Sequence, residues 1–231
     1  IETSDGGFAL LGYTDSVDGD VTTNNGNRDF WVVKIDAFGA LAWQKSFGYA
    51  GADEGMSIIE TSDNHFILSG VLDVSASGGE GNFGRLSTRH AGGDYWSIKI
   101  TQTGDVVWSR FYGGSFTDNP AGVLETASNN LIIVGGSDSN DVDITNNKGS
   151  YDFWVVKSTA TGDIVWEKSF GGSEIDEARG IVSSGDGNHV IVGDTRSIEQ
   201  DVSLNNGAAD LWLIKISDDG DVLWNSSIGG S

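Results

Sequence analysis

YDFWVVKSTATGDIVWEKSFGGS, residues 151 to 173, reads as two β-strands joined by a tight turn, and three relatives of it occur in the same chain. They are marked by Asp29-Phe30-Trp31, Asp94-Tyr95-Trp96, Asp152-Phe153-Trp154 and Asp210-Leu211-Trp212, each followed twelve residues later by Trp43, Trp108, Trp166 or Trp224. This one hairpin uses all 8 tryptophans of the chain. The steps between copies are 65, 58 and 58 residues, a period characteristic of solenoids, propellers and other repeat arrays.

Working outward from the hairpin, each unit shows two earlier strand signals. The first is Ser57 to Thr61, matched by Ile1 to Thr3, Val123 to Thr126 and Ile181 to Ser184. A polar turn leads to the second, Phe8 to Gly12, echoed by Phe66 to Gly70, Leu131 to Gly135 and His189 to Gly193. Asn, Asp and Gly in that turn supply the positive φ a hairpin needs. A long Asp/Asn/Gly loop then precedes the third strand. That strand is apolar on both alternating sets, Trp31, Val33 and Ile35 on one side and Phe30 and Val32 on the other. A strand apolar on both faces sits between two sheets. Four-stranded sheets covered on both faces are the blades of a β-propeller. The expected fold is therefore all-β: a β-propeller of four-stranded antiparallel blades with four repeats visible, one domain over residues 1–231 divided into units 1–58, 59–123, 124–181 and 182–231. The first unit starts inside a strand and the last is shorter than the others, so the chain reads as an excerpt of a larger propeller.

Between the third and fourth strands the pattern is Gly, apolar, any residue, Trp, as in Gly104-Asp105-Val106-Val107-Trp108. It resembles the repeat of pyrroloquinoline-quinone-type propellers and their cofactor-free relatives. The whole unit is similar to the tandem repeats of large secreted and surface proteins of Bacteroidetes, through Asp138 to Asp143, Gly149 to Lys157 and Trp166 to Gly172. The resemblance implies an extracellular or outer-surface location and a role in adhesion or spacing, and it identifies the fold more closely than the activity.

Composition narrows the partners. A net charge of −21 repels phosphate backbones and anionic head groups, which disfavours nucleic acid and membrane surfaces. No cysteine is present, so disulfides and thiolate metal sites are excluded. No apolar run has the length of a membrane span, so no membrane insertion is expected.

Up-and-down strand order gathers the long loops at one end of the sheets, and that end is acidic and Asn-rich. There Asp15, Asp18 and Asp20 recur as Asp138, Asp141 and Asp143. Clustered carboxylates of this kind are hard oxygen ligands suited to Ca²⁺, or else Asx-turn acceptors. Asp29, Asp94, Asp152 and Asp210 occur in all four units and are read as structural acceptors of backbone N–H groups at the strand start. The blade-to-blade loops carry Asp53-Glu54, Asp118-Asn119 and Asp176-Glu177, the carboxylates that an acid/base role would use. Lys34, Lys99, Lys157 and Lys215 are expected to pair with Glu2, Glu60 or Glu125 or to reach the blade edge. His65, His90 and His189 form no recognisable set. The insertion at Ser77 to His90 brings Arg85 and Arg89 into acidic surroundings.

The function expected from this pattern is a non-catalytic binding or spacer module that meets glycan or protein through the long-loop face. A polysaccharide-active lyase or hydrolase using loop carboxylates is the alternative. A quinoprotein-like dehydrogenase is disfavoured because basic cofactor contacts are not evident.

Overall fold

Each predicted hairpin turns on a glycine that its backbone requires. Gly39, Gly104, Gly162 and Gly220 all take φ between 78° and 83°, in the left-handed region that side chains rarely adopt. Immediately before this turn every hairpin carries a bulge, after Lys34, Lys99, Lys157 and Lys215. The computed structural model describes residues 1–81 and 90–230, and these fall into two units, Ile1–Tyr112 and Gly113–Ser231.

In the first unit, β1 (Phe8–Thr14), β2 (Asp29–Ile35) and β3 (Leu41–Phe47) form one antiparallel meander. Glu2 bridges to Phe8 where a fourth strand would lie. The second meander is β4 (Glu54–Glu60), β5 (His65–Asp73), β6 (Gly93–Thr101) and β7 (Val106–Tyr112). A single helical turn, α1 (Val74–Ser77), follows β5, with the Asp73 carboxylate accepting from Ala76 N as its cap. Residues 82–89 of the insertion, including Arg85 and Arg89, lie outside the described residues.

In the second unit, β8 (Asp118–Glu125), β9 (Leu131–Ser137), β10 (Asp152–Ser158) and β11 (Ile164–Phe170) form one sheet. The other sheet is β12 (Asp176–Ser183), β13 (His189–Thr195), β14 (Asp210–Ile216) and β15 (Val222–Ile228). These four meanders, blades 1 to 4 in chain order, are the antiparallel blades of a β-propeller. A repeat counted from residue 1 places its boundaries inside β4, β8 and β12, because the natural blade begins at Glu54, Asp118 or Asp176.

Within each unit the two blades stack face to face. Phe30 and Val32 of blade 1 meet Trp96, Ile98 and Ile100 of blade 2. Phe153 and Val155 of blade 3 meet Trp212, Ile214 and Ile216 of blade 4 in the same way. The ring pairs are nearly superimposable: Phe30 lies 4.8 Å from Trp96 and Phe153 lies 4.8 Å from Trp212, both steeply inclined. Such aromatic pairs add to plain area burial.

The twelve-residue step between tryptophans follows from the register. Trp43 pairs with Lys34 and Trp166 with Lys157, one residue out of phase with Trp31 and Trp154. Each hairpin therefore sends one indole to each face of its blade. The second indole also reaches the next blade's turn: Trp43 Nε1 donates to Gln102 O at 2.9 Å and Trp166 Nε1 to Asp218 O at 3.3 Å.

The repeated lysines correct one expectation. Their partners are turn aspartates and not the first-strand glutamates. Lys34, Lys99 and Lys215 pair with Asp5, Asp63 and Asp186 of their own blade at 2.6–2.9 Å. The third blade has Ser128 where the others have Asp, and its Lys157 turns instead to Asp218 of blade 4, at 2.7 Å. Glu60 is otherwise engaged, accepting from Ser4 N and Ser4 Oγ of blade 1. Burial alone would raise the Asp63 carboxyl, but hydrogen bonds from Lys99 and Thr61 and the lysine charge hold it at about 2. A depressed carboxylate stabilises the fold above its unfolded value and loses that contribution as pH falls through its folded one. Asp63→Ala is thus expected to cost about 1–2 kcal/mol at pH 7 by urea denaturation, in the range for a partly exposed pair to a buried lysine. The difference from wild type should shrink to a small fraction by about pH 2, where the native carboxyl is half protonated, and vanish below it.

Candidate functional site

The long-loop end is built from the same carboxylate device used over and over. An aspartate that opens a strand accepts, through Oδ2, the N–H of the residue four positions earlier. Asp29 takes Asn25 N at 2.8 Å, Asp152 takes Lys148 N at 2.6 Å and Asp210 takes Asn206 N at 2.7 Å. The linker aspartates repeat it, Asp53 with Tyr49 N, Asp118 with Gly114 N and Asp176 with Gly172 N, all at 2.7 Å. In blade 2 the acceptor faces a side chain instead: His90 Nδ1 lies 2.6 Å from Asp94 Oδ2. Bonds of this local kind tie a loop to the strand it enters.

The strand-opening and linker aspartates converge on a glycine. A side chain at Gly48 would meet Asp29 Oδ1 at 2.3 Å and Asp53 Oδ2 at 2.9 Å, and one at Gly171 would meet Asp152 Oδ1 at 2.3 Å and Asp176 Oδ2 at 2.7 Å. Glycine is required there by lack of space, and it brings two fully buried carboxyls together. Asp29 Oδ1 and Asp152 Oδ1 are buried with no hydrogen-bond donor. Burial pushes Asp53 up to about 6 and Asp152 up to about 7, against the backbone N–H groups and, for Asp152, the Lys148 charge, which pull the other way. Burial raises Asp29 as well.

Asp138, Asp141 and Asp143 lie in the loop after β9. Asp141 Oδ1 accepts from Ser115 N at 2.9 Å, Asp143 Oδ2 from Gly113 N at 3.4 Å, and Ser139 Oγ from Phe116 N at 3.0 Å. Asp138 contributes its backbone N–H to Thr117 O. The loop thereby clamps the linker that enters its own blade. Blade 4 does likewise with Ser197, Glu199 and Asp201, which accept from Glu174 N, Ser173 N and Gly171 N at 2.8–3.1 Å. Asp15, Asp18 and Asp20 occupy the corresponding places in blade 1. They are exposed, and the Asp18 and Asp20 side chains make no hydrogen bond among the described residues. Among the described residues no three His, Asp or Glu side chains converge as a metal site.

His65 and His189 sit at the opposite, short-turn end. His65 Nδ1 is 2.9 Å from Asp63 O, and the buried His189 places Nε2 3.5 Å from Asp218 Oδ1. What the sequence reading missed at the loop end are apolar side chains held in the open: Phe116 is 59% exposed and Ile198 68%, with Leu204 and Val17 similarly uncovered. Their signal was an apolar residue inside an otherwise polar loop, as in Ser197-Ile198-Glu199.

No protein family model matches this chain. Over 197 residues it is 25% identical to the regulatory protein FlaEY of Caulobacter vibrioides, a match covering 80% of this chain and 20% of that protein. The chain thus spans about a fifth of the length of that curated relative. A crystal structure of a protein of unknown function from Bacteroides caccae is similar at a TM-score of 0.48 and 10% identity, covering 87% of this chain and 55% of the other.

Proposed function

We propose that the chain is a non-catalytic binding module of a secreted or surface protein, and that it recognises glycan or protein through the long-loop end. The observation that carries this reading is the set of exposed apolar side chains there, Phe116, Ile198 and Leu204 in the second unit, standing within an acidic, hydrogen-bonded frame. Solvated apolar groups on loops fixed to a rigid scaffold are the usual makings of a recognition surface. The carboxylates around them are engaged in fixing linkers and strand starts, a scaffold's work repeated from blade to blade.

The test is a panel of polysaccharides and surface proteins passed over immobilised protein, scoring both retention and released fragments. The double variant Phe116→Ser, Ile198→Ser is expected to reduce retention at least about tenfold, the loss of roughly 1.4 kcal/mol or more of contact. Phe38→Ser, at the short-turn end and 96% exposed, should leave it unchanged. Release of oligosaccharides would replace this reading with that of a polysaccharide-active enzyme.

A further inference from the structure

Blade 4 breaks the repeat at one place between its first two strands. In the other blades a glutamate at the end of the first strand faces a large apolar residue on the second: Glu2 faces Phe8, Glu60 faces Phe66 and Glu125 faces Leu131. In blade 4 the pair is Ser183 and His189.

The first unit shows how that space is ordinarily filled. Glu60 crosses to blade 1 and accepts from Ser4 N and Ser4 Oγ at 2.7 Å, and Gln102 Nε2 donates to it at 2.7 Å. Every member of this bridge is different between blades 3 and 4, where Ser183 stands for Glu60, Ala127 for Ser4 and Asp218 for Gln102. The shorter side chains leave a cavity of about 480 Å³, the size of a site for one small molecule. Thr126 and Ser128 of blade 3 line one side, and Ser183, Asn188, His189 and Asp218 of blade 4 line the other. The cavity therefore lies wholly within the second unit, between blades already packed on each other.

His189 is 3% exposed, at a place where the other blades hold Phe or Leu. Its Nδ1 is buried without a hydrogen-bond partner, and its Nε2 lies 3.5 Å from Asp218 Oδ1, the outer limit of a hydrogen bond. A buried polar atom left unpaired opposes folding, so the exchange of an apolar side chain for imidazole brings no structural gain. The charges nearby are already matched. Lys157 Nζ lies 2.7 Å from Asp218 Oδ1, and Lys215 Nζ lies 2.6 Å from Asp186 Oδ2 in the adjoining turn. A free anion is further opposed by the net charge of −21, and among the described residues no three His, Asp or Glu side chains converge to hold a metal. The wall thus offers hydroxyls, an amide, and an imidazole beside a carboxylate, donors and acceptors set side by side. That array suits an uncharged molecule with hydroxyls on neighbouring carbons.

We propose that this cavity binds one neutral sugar residue, with Asp218 and His189 taking adjacent ring hydroxyls and Thr126, Ser128 and Ser183 contacting the others. A free monosaccharide and the end residue of a longer glycan present the same hydroxyls, so both are admitted by this chemistry. The site sits at the short-turn end of blades 3 and 4. It stands or falls independently of recognition at the long-loop end.

The 231-residue chain has three histidines, and His189 is the one that lines the cavity, so the imidazole signals of isotope-labelled protein report on the site directly. Glucose, galactose, mannose and N-acetylglucosamine, each titrated to about 50 mM, are the probes, together with a short oligosaccharide ending in whichever of them binds. At least one sugar is expected to shift the His189 signals saturably while those of His65 and His90 stay in place. An oligosaccharide binding at least as tightly as its free end sugar identifies a glycan end as the source, and one binding more weakly identifies the free sugar. His189→Phe and Ser183→Gln return side chains of the size that other blades hold, so each should fill the cavity and weaken binding at least about tenfold by calorimetry. Melting of both variants checks the fold, and Ser183→Gln, at an exposed position, decides the matter if His189→Phe does not fold. Phe116→Ser with Ile198→Ser should leave this binding unchanged even where it abolishes retention at the loop end. The proposal is overturned if no probe shifts His189, if His65 and His90 shift as much as His189, or if a folded cavity-filling variant binds as tightly as wild type.

Discussion

Trp212→Ala is expected to lower the unfolding free energy by about 3–5 kcal/mol, while Trp224→Ala costs less than about 1 kcal/mol. The two residues are indistinguishable by type and occupy one hairpin. Trp212 is 0% exposed and packs against Phe153 at 4.8 Å between blades 3 and 4, so its removal takes away that contact and leaves a void the stacked sheets cannot close. Trp224 is 45% exposed on the other face of the same blade, and its loss leaves water where water already was. Urea denaturation followed by circular dichroism measures both. Equal losses for the two variants would mean that the indoles are not the filling between stacked blades.

The second large effect is on pH. Stability is expected to be greatest near about pH 4 and to fall by a few kcal/mol on the way to pH 8. Asp152 titrates at about 7 in the folded protein, and an unfolded aspartate near 3.9. Between those values the folded state holds a proton that the unfolded state has released, so stability declines as pH rises through this window and levels off above it. Asp53, raised to about 6, adds a smaller slope of the same sign. Below pH 4 the sign reverses. Asp63 and Asp186, lowered by their lysines, must then be protonated, and their contribution is lost. Around Asp152 the charged neighbours are Lys148, Asp176 and Asp201, and around Asp53 they are Asp29 and Asp73. Asp152→Asn keeps an oxygen for the Lys148 N–H and abolishes the charge, so its stability should change much less between pH 5 and 8. A wild-type protein as stable at pH 8 as at pH 5 would show that the buried carboxyls at Gly171 are solvated after all.

Much of the fold was legible because each blade restates the same local rules. The two-sided apolar pattern of Phe30 to Ile35, the glycines that need positive φ, and the fixed tryptophan step are properties of one hairpin, visible four times. The partner of each lysine was less legible. The signal was present in Thr3-Ser4-Asp5, Thr61-Ser62-Asp63 and Ser184-Gly185-Asp186, with Ser128 breaking the series. It acquires meaning only when the third strand is seen to end over that turn. At the loop end the recurrence of Asp141 and Asp143 could be read directly, but not the amide groups they accept, which lie 26 to 30 residues earlier in the chain.

By itself the sequence determined the repeating blade, its strand order and the acidic loop end, since these depend on contacts within a few residues or across one hairpin. Only the tertiary structure decided which of the repeated residues are filling and which are surface. Phe8 and Phe66, Asp18 and Asp141, Trp224 and Trp166 are like pairs in the sequence. One of each is packed or hydrogen-bonded within its own unit and the other is exposed, and the resulting free energy depends on those contacts rather than on the residue type.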